Sequence, residues 1–208
     1  MLQWDAETGR LWCGAQGTVF ADGPYVYRVR GTRSGREAVA DGLARRTVCA
    51  DGERVRIQGV LDPLQIEVTH LFQKTPDGLD ETVAFRNLAS EAVTLADIGL
   101  GFSATLGNRA GWRLCAIPFR VQLDGSRHDY SAAALAEGRF QNAIYRDETR
   151  PEPELVEEGR LRSEAWAWWA EGQGLLVAKY NNADIELSVA APFARDGEKA
   201  LRFGGFDQ

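Results

Sequence analysis

Few residues in this chain of 208 are of the kinds that build reactive centres: it has three cysteines, two histidines and one methionine. Cys13, Cys49 and Cys115 are widely spaced and form no CxxC pair, which excludes a zinc ribbon and a dense disulfide framework. Buried thiols in a reducing compartment are the expectation. No stretch approaches the roughly 20 apolar residues that a membrane helix needs, so no membrane partner is expected. The start, MLQWDAETGR, lacks a basic segment leading into an apolar one. A cytoplasmic protein is therefore expected, unless a leader has already been removed. There is no Ser nucleophile elbow and no cluster with metal-ligand spacing. Gly99-Leu-Gly-Phe lacks the third glycine and the following helix of a phosphate loop. No cofactor is expected.

Positive charge is also in deficit. The formal charge of -6 would repel a phosphate backbone, whose binding depends on Lys and Arg, so nucleic acid is not an expected partner. Arg28 to Arg56 is locally basic, with eight Arg against four carboxylates, and Asp147 to Glu164 is locally acidic. Solvated loops of opposite sign explain both, and an electrostatic contact between them is the alternative.

What the chain does have is hydrophobic alternation broken by turn residues. Hydrophobic residues make up 44 % and charged residues 26 %, proportions that sustain a packed core. Leu11 to Cys13, Thr18 to Phe20 and Tyr25 to Val29 read as short strands, with Asp22-Gly23-Pro24 separating the last two. Arg33 to Arg46 shows no convincing period and reads as loop with a short helical turn. From Arg54 to Val60 charged and apolar residues alternate, and Ile66, Val68, His70 and Phe72 share one face of the next strand. Thr75-Pro76-Asp77-Gly78 reverses the chain, Thr82 to Asn87 returns, and Val93 to Phe102 forms a further strand. Connections this short require antiparallel neighbours. Trp112 to Leu123 forms another strand block, Ser131 to Glu137 is the one helix-like window, with a capping-type start, and Arg150 to Arg162 is an exposed connection. Ser163 to Ala170, Gly174 to Tyr180 and Ile185 to Ala191 are three more strands. Neither an internal repeat nor a linker divides the chain. The expected architecture is an all-β antiparallel β-sandwich over 1–208, a single domain, with a core including Val55, Ile57, Ile66, Val68, Phe72, Val83, Phe85, Val93, Leu95, Leu176 and Ile185.

The hairpin Glu164-Ala-Trp-Ala-Trp-Trp-Ala-Glu171 into Gly174-Leu-Leu-Val-Ala-Lys-Tyr180 carries the most functional information. A type II′ turn at Gly172-Gln173 pairs Trp169 with Leu176, Trp168 with Val177 and Trp166 with Lys179. One face then carries Ala167, Trp169, Leu176, Ala178 and Tyr180 and, lacking charge, is the expected core face. Trp166 and Trp168 share the other face with Glu164 and Lys179. Indoles on such a face call for cover by a second sheet, a partner domain or subunit, or a sugar ring.

Two stretches, IEVTHLFQKTPDGLDETVAFRNLASEAVTLADIGLGF (66–102) and SEAWAWWAEGQGLLVAKYNNADIELSV (163–189), resemble strands of the N-terminal β-supersandwich domains of glycoside hydrolases, closest to the α-galactosidase type (family 36). The resemblance implies a supersandwich, galactose-mutarotase-like fold and either a standalone relative or the N-terminal part of a longer glycoside hydrolase. In those enzymes the catalytic carboxylates lie in a following (β/α)₈ barrel, for which this chain has no βα pattern. The function expected is therefore a non-catalytic carbohydrate-enzyme accessory or carbohydrate-binding domain. Its partner would be carbohydrate or a catalytic domain or subunit, and a homo-oligomer is allowed.

Two other readings remain open. A mutarotase-like sugar epimerase would use His128 or His70 with a carboxylate, although His70 sits on an apolar strand face and reads first as a hydrogen-bonded core residue. A structural interface module would have no affinity for glycans. The candidate contact residues are Trp166, Trp168 and Lys179, with His128, Asp129, Tyr130 and Asn181 as a polar edge that bonds sugar hydroxyls.

Overall fold

A computed structural model describes residues 2–13, 17–117, 129–137, 161–163, 165–170, 172–178 and 187–207. The chain divides into two compact units, 1–101 and 102–207. The fold is all-β and antiparallel, sandwich-like, with one α-helix among the described residues.

The first unit contains β1 (Leu2–Asp5), β2 (Arg10–Cys13), β3 (Thr18–Arg33), β4 (Arg36–Asp41), β5 (Ala44–Ala50), β6 (Arg54–Leu61), β7 (Ile66–Lys74), β8 (Leu79–Asn87) and most of β9 (Val93–Thr105). One sheet runs β1-β2-β3-β9, with β4 also on β3, and the other runs β5-β6-β7-β8. The two sheets face each other through the alternate residues of β3 and β7. Tyr25, Tyr27 and Val29 are buried on the first strand, and Ile66, Val68, His70 and Phe72 on the second. Each large apolar side chain buried in this way contributes roughly 1.5–3 kcal/mol. The period-two pattern of 54–60 and 66–72 is thus realised as expected. Of the other expected core residues in this unit, Val55, Val83, Phe85, Val93 and Leu95 are only half-buried.

Two expectations fail here. Asp22-Gly23-Pro24 does not interrupt the chain, because β3 continues through it for 16 residues. Pro24 lies between the β2 ladder, which ends at Asp22, and the β4 ladder, which begins at Arg28. Its missing N–H therefore costs neither ladder a bond. Arg33 to Arg46 is not a loop. β4 returns against β3 from a turn at Ser34-Gly35, and β5 follows at once. The pattern was hidden because β5 is exposed at most positions and carries a register break between Ala44 and Thr47.

The second unit contains β10 (Arg113–Ile117), β11 (Asp129–Ser131), α1 (Ala132–Ala136), β12 (Leu161–Ser163), β13 (Ala165–Ala170), β14 (Gln173–Ala178), β15 (Leu187–Arg195) and β16 (Glu198–Asp207). Its strands pair in the orders β11-β10-β13-β14 and β12-β15-β16. Helix α1 stands where expected, capped by the Ser131 hydroxyl accepting from Ala134 N at 3.1 Å. The final strand β16 was not anticipated, yet it supplies buried Ala200, Leu201 and Phe203 after the Asp196-Gly197 turn. Leu114, Leu135, Trp168 and Phe203 are almost wholly buried in this unit. Leu176, expected in the core, is 62 % exposed, and Ile185 lies outside the described residues.

Candidate functional site

Strands β13 and β14 form the expected hairpin one residue out of place. Ala170 pairs with Gln173, so the two-residue loop is Glu171-Gly172 rather than Gly172-Gln173. Gly172 has φ +83°, a left-handed value suited to the second loop position. Trp169 consequently pairs with Gly174, Trp168 with Leu175 and Trp166 with Val177. The shift preserves which residues share a face, because each strand's partner moves by two.

The inward face is the opposite of the one expected. Trp168 is 1 % exposed, with its ring centroid 4.4 Å from Phe203 and 5.9 Å from Trp112. Trp169 is 55 % exposed and shares the outer face with Leu176. The face of Trp166, Trp168, Leu175 and Val177 offers more apolar area than that of Ala167, Trp169, Gly174, Leu176 and Ala178, and area decides burial. In the sequence Glu164 and Lys179 fall outside Ala165–Ala170 and Gln173–Ala178, so neither charge interrupts that apolar row.

Of the candidate residues, Trp168 is in the core. Trp166 is placed by its backbone on the same strand face, but its side chain lies outside the described residues. Tyr130 pairs with Leu114, which pairs with Trp168, so sheet order does bring Tyr130 into the tryptophan's row. Asp129 is placed by its backbone opposite Cys115, and His128, Lys179 and Asn181 lie outside the described residues.

Trp169 occupies a particular position on the outer face. A side chain begun at Gly174 would meet Trp169 Cε3 at 2.9 Å and Cζ3 at 3.1 Å, so the indole lies across the bare backbone of that glycine. Ring and glycine make a low apolar platform, continued by Leu176. The sequence signal was available in the Gly174 opposite the last tryptophan, but the misplaced turn concealed it.

The first unit holds the other chemically distinctive cluster. His70 is completely buried, with Nε2 2.9 Å from Glu81 Oε1 and Nδ1 2.7 Å from the Tyr27 hydroxyl. The Tyr25 hydroxyl donates to the same Glu81 oxygen. A carboxylate only accepts, so His70 Nε2 carries the hydrogen of its bond, and in the neutral ring Nδ1 accepts from Tyr27. Burial, reinforced by the negative charge of Glu81, pushes the Tyr27 hydroxyl well above the usual tyrosine range, and Arg46 opposes this weakly. Beside the cluster the rings of Trp4 and Phe72 pack tilted at 42° with centroids 4.0 Å apart, and the His70 ring centroid lies 4.1 Å from that of Phe72. The sequence reading found His70 and its core role but missed Tyr25, Tyr27 and Glu81. The visible signal was a carboxylate in the apolar row Leu79, Glu81, Val83, Phe85.

Among the described residues no group of His, Cys, Asp and Glu has the arrangement of a metal site, and no helix is long and apolar enough to cross a membrane. No protein-family model, curated protein or solved structure matches the chain.

Proposed function

We propose that the chain is a non-catalytic, carbohydrate-binding accessory domain of a glycoside hydrolase, of the galactose-mutarotase-like kind its sequence resembles, and that the exposed indole of Trp169 receives the sugar. The carrying observation is the platform of Trp169 over Gly174. One ring face is turned to the backbone of Gly174, the ring is largely in solvent, and Arg113 stands opposite Trp169 on β10, a cationic neighbour that can donate to sugar hydroxyls. A pyranose presents a patch of C–H bonds that such a surface accepts. The non-catalytic part of the reading is supported by His70 and Glu81. These are the residue types for anomeric acid–base chemistry, yet His70 is wholly enclosed and both its nitrogens are engaged within the core. Cys13, Cys49 and Cys115 are free thiols but not the buried ones expected, Cys49 being exposed and the other two half-buried; free thiols are compatible with a cytoplasmic location.

Tryptophan fluorescence titrated with galactosides and glucosides tests this reading. A saturable response in the wild type that Trp169→Ala abolishes is the expected result. Absence of any response across the panel removes the carbohydrate reading and leaves the face, with Leu176, to a catalytic domain or subunit. Polarimetry of freshly dissolved aldoses tests the epimerase alternative: catalysed anomerisation lost in His70→Gln would overturn the non-catalytic assignment.

A further inference from the structure

The sheet β5-β6-β7-β8 has two end strands, and they differ in how they are finished. β5 is broken: its register shifts between Ala44 and Thr47, Arg45 has φ +53°, and Arg45 and Arg46 stand at the break. Such a bulge, with charge beside it, keeps another strand from pairing. β8 has no such break. It runs nine residues, pairs with β7 without a register shift from Asn87 to Leu79, contains neither proline nor lysine, and among the described residues pairs with no other strand. Its inward residues Leu79, Val83 and Phe85 are only half-buried, which leaves an apolar row beside an open edge. A regular edge of this kind is a template for strand addition.

The one irregular residue in that row is Glu81, which points inward where an apolar side chain belongs. Its side chain retains 22 % exposure. Tyr25, from the facing sheet, and His70, from the neighbouring strand, both donate to Oε1 and hold the carboxylate at the edge instead of letting it swing out to water. A second β8 paired antiparallel about Val83 would set each Glu81 opposite Phe85 of the other copy and bury its remaining hydration. Burying a charge beside a phenyl ring is strongly unfavourable. We infer that Glu81, pinned by Tyr25 and His70, guards the β8 edge against pairing with a second copy of this chain. The inference is independent of any sugar binding by the second unit.

Glu81→Gln tests it, because the amide oxygen still accepts from Tyr25 and His70 while the charge is gone. Sedimentation velocity over a concentration series, with amide exchange on β8, reads the outcome. The wild type should stay dispersed with labile outward β8 amides. Glu81→Gln should associate at concentrations lower by about tenfold or more, with new protection on β8. Should Glu81→Gln lose its β circular dichroism, Tyr25→Phe, which removes one of the two pinning donors, is read in the same way. A folded variant that sediments like the wild type, or that associates without protecting β8, overturns the inference, as does a wild type that already pairs through β8.

Discussion

Tyr27 Oη stands 2.7 Å from His70 Nδ1, and the two side chains come from opposite sheets of the first unit. The tyrosine is almost fully buried and the histidine completely so, and this bond completes the polar set around His70. The sandwich thus carries a specific hydrogen-bonded tie through an otherwise apolar core.

Tyr27→Phe should leave His70 Nδ1 buried without a partner and cost about 1–3 kcal/mol at neutral pH, measured by urea unfolding. The pH dependence has a definite sign. A tyrosine whose folded pKa is raised contributes stability that is complete below its unfolded value, about 10, and is lost as pH rises toward the folded value. The wild type should therefore lose more stability than Tyr27→Phe above that pH, so the two curves converge. Parallel curves through the alkaline range would contradict the assignment.

Glu91 ties the β8–β9 turn to the β3–β4 turn. Arg33 Nε donates to its Oε1 at 2.7 Å, with Ser34 and Ser90 adding hydroxyl bonds, and together they lower the carboxyl to about 2. Stability from a depressed carboxyl is present above the unfolded value of about 4.5 and is lost as pH falls toward 2. Glu91→Gln should flatten that acid limb and be less stable than the wild type at pH 7 by the same amount, so the two proteins converge as pH falls; exposure and screening of the pair keep that amount small. Thermal midpoints at pH 5 and pH 2.5 for both proteins provide the comparison. An equal acid loss in wild type and variant would show that other carboxylates control it.

Gly174 offers a separate test of the platform. A methyl group there needs the Trp169 ring to move, since Cε3 lies 2.9 Å from where it would begin. The ring is mostly in solvent and can lift, so Gly174→Ala should change stability by less than about 1 kcal/mol. It should nevertheless alter Trp169 emission and weaken any sugar response several-fold. A fully wild-type titration curve would place the ligand elsewhere.

The sequence made the all-β class legible because period-two alternation and turn residues survive in β6, β7 and β9 whatever the tertiary setting. It hid β4 and β5, since a strand exposed at most positions has no apolar face to display. His70 was legible as a core residue from its neighbours at 66, 68 and 72. Its partners were not, because Tyr25 and Tyr27 approach from another sheet and Glu81 from the next strand. In the hairpin, strand alternation assigned the face-mates correctly despite the displaced turn. The inward face was misjudged because end charges were weighed above apolar area.

That inversion makes the last prediction a contrast between adjacent tryptophans. Trp168 fills space against Phe203 and Trp112, so Trp168→Ala should cost about 3–5 kcal/mol, the range for emptying a large aromatic site. Its Nε1 is buried without a hydrogen-bond partner among the described residues. Trp168→Phe should therefore cost distinctly less than Trp168→Ala, because the unsatisfied N–H leaves together with the lost ring. Trp169→Ala, removing a ring more than half in water, should stay within about 1 kcal/mol of wild type. Urea unfolding of the three variants orders them, and acrylamide quenching should lose its most accessible component only in Trp169→Ala. If Trp169→Ala proves the costlier alanine substitution, the face of Ala167, Trp169 and Leu176 is the buried one after all, and both the hairpin's orientation and the platform built on it fall together.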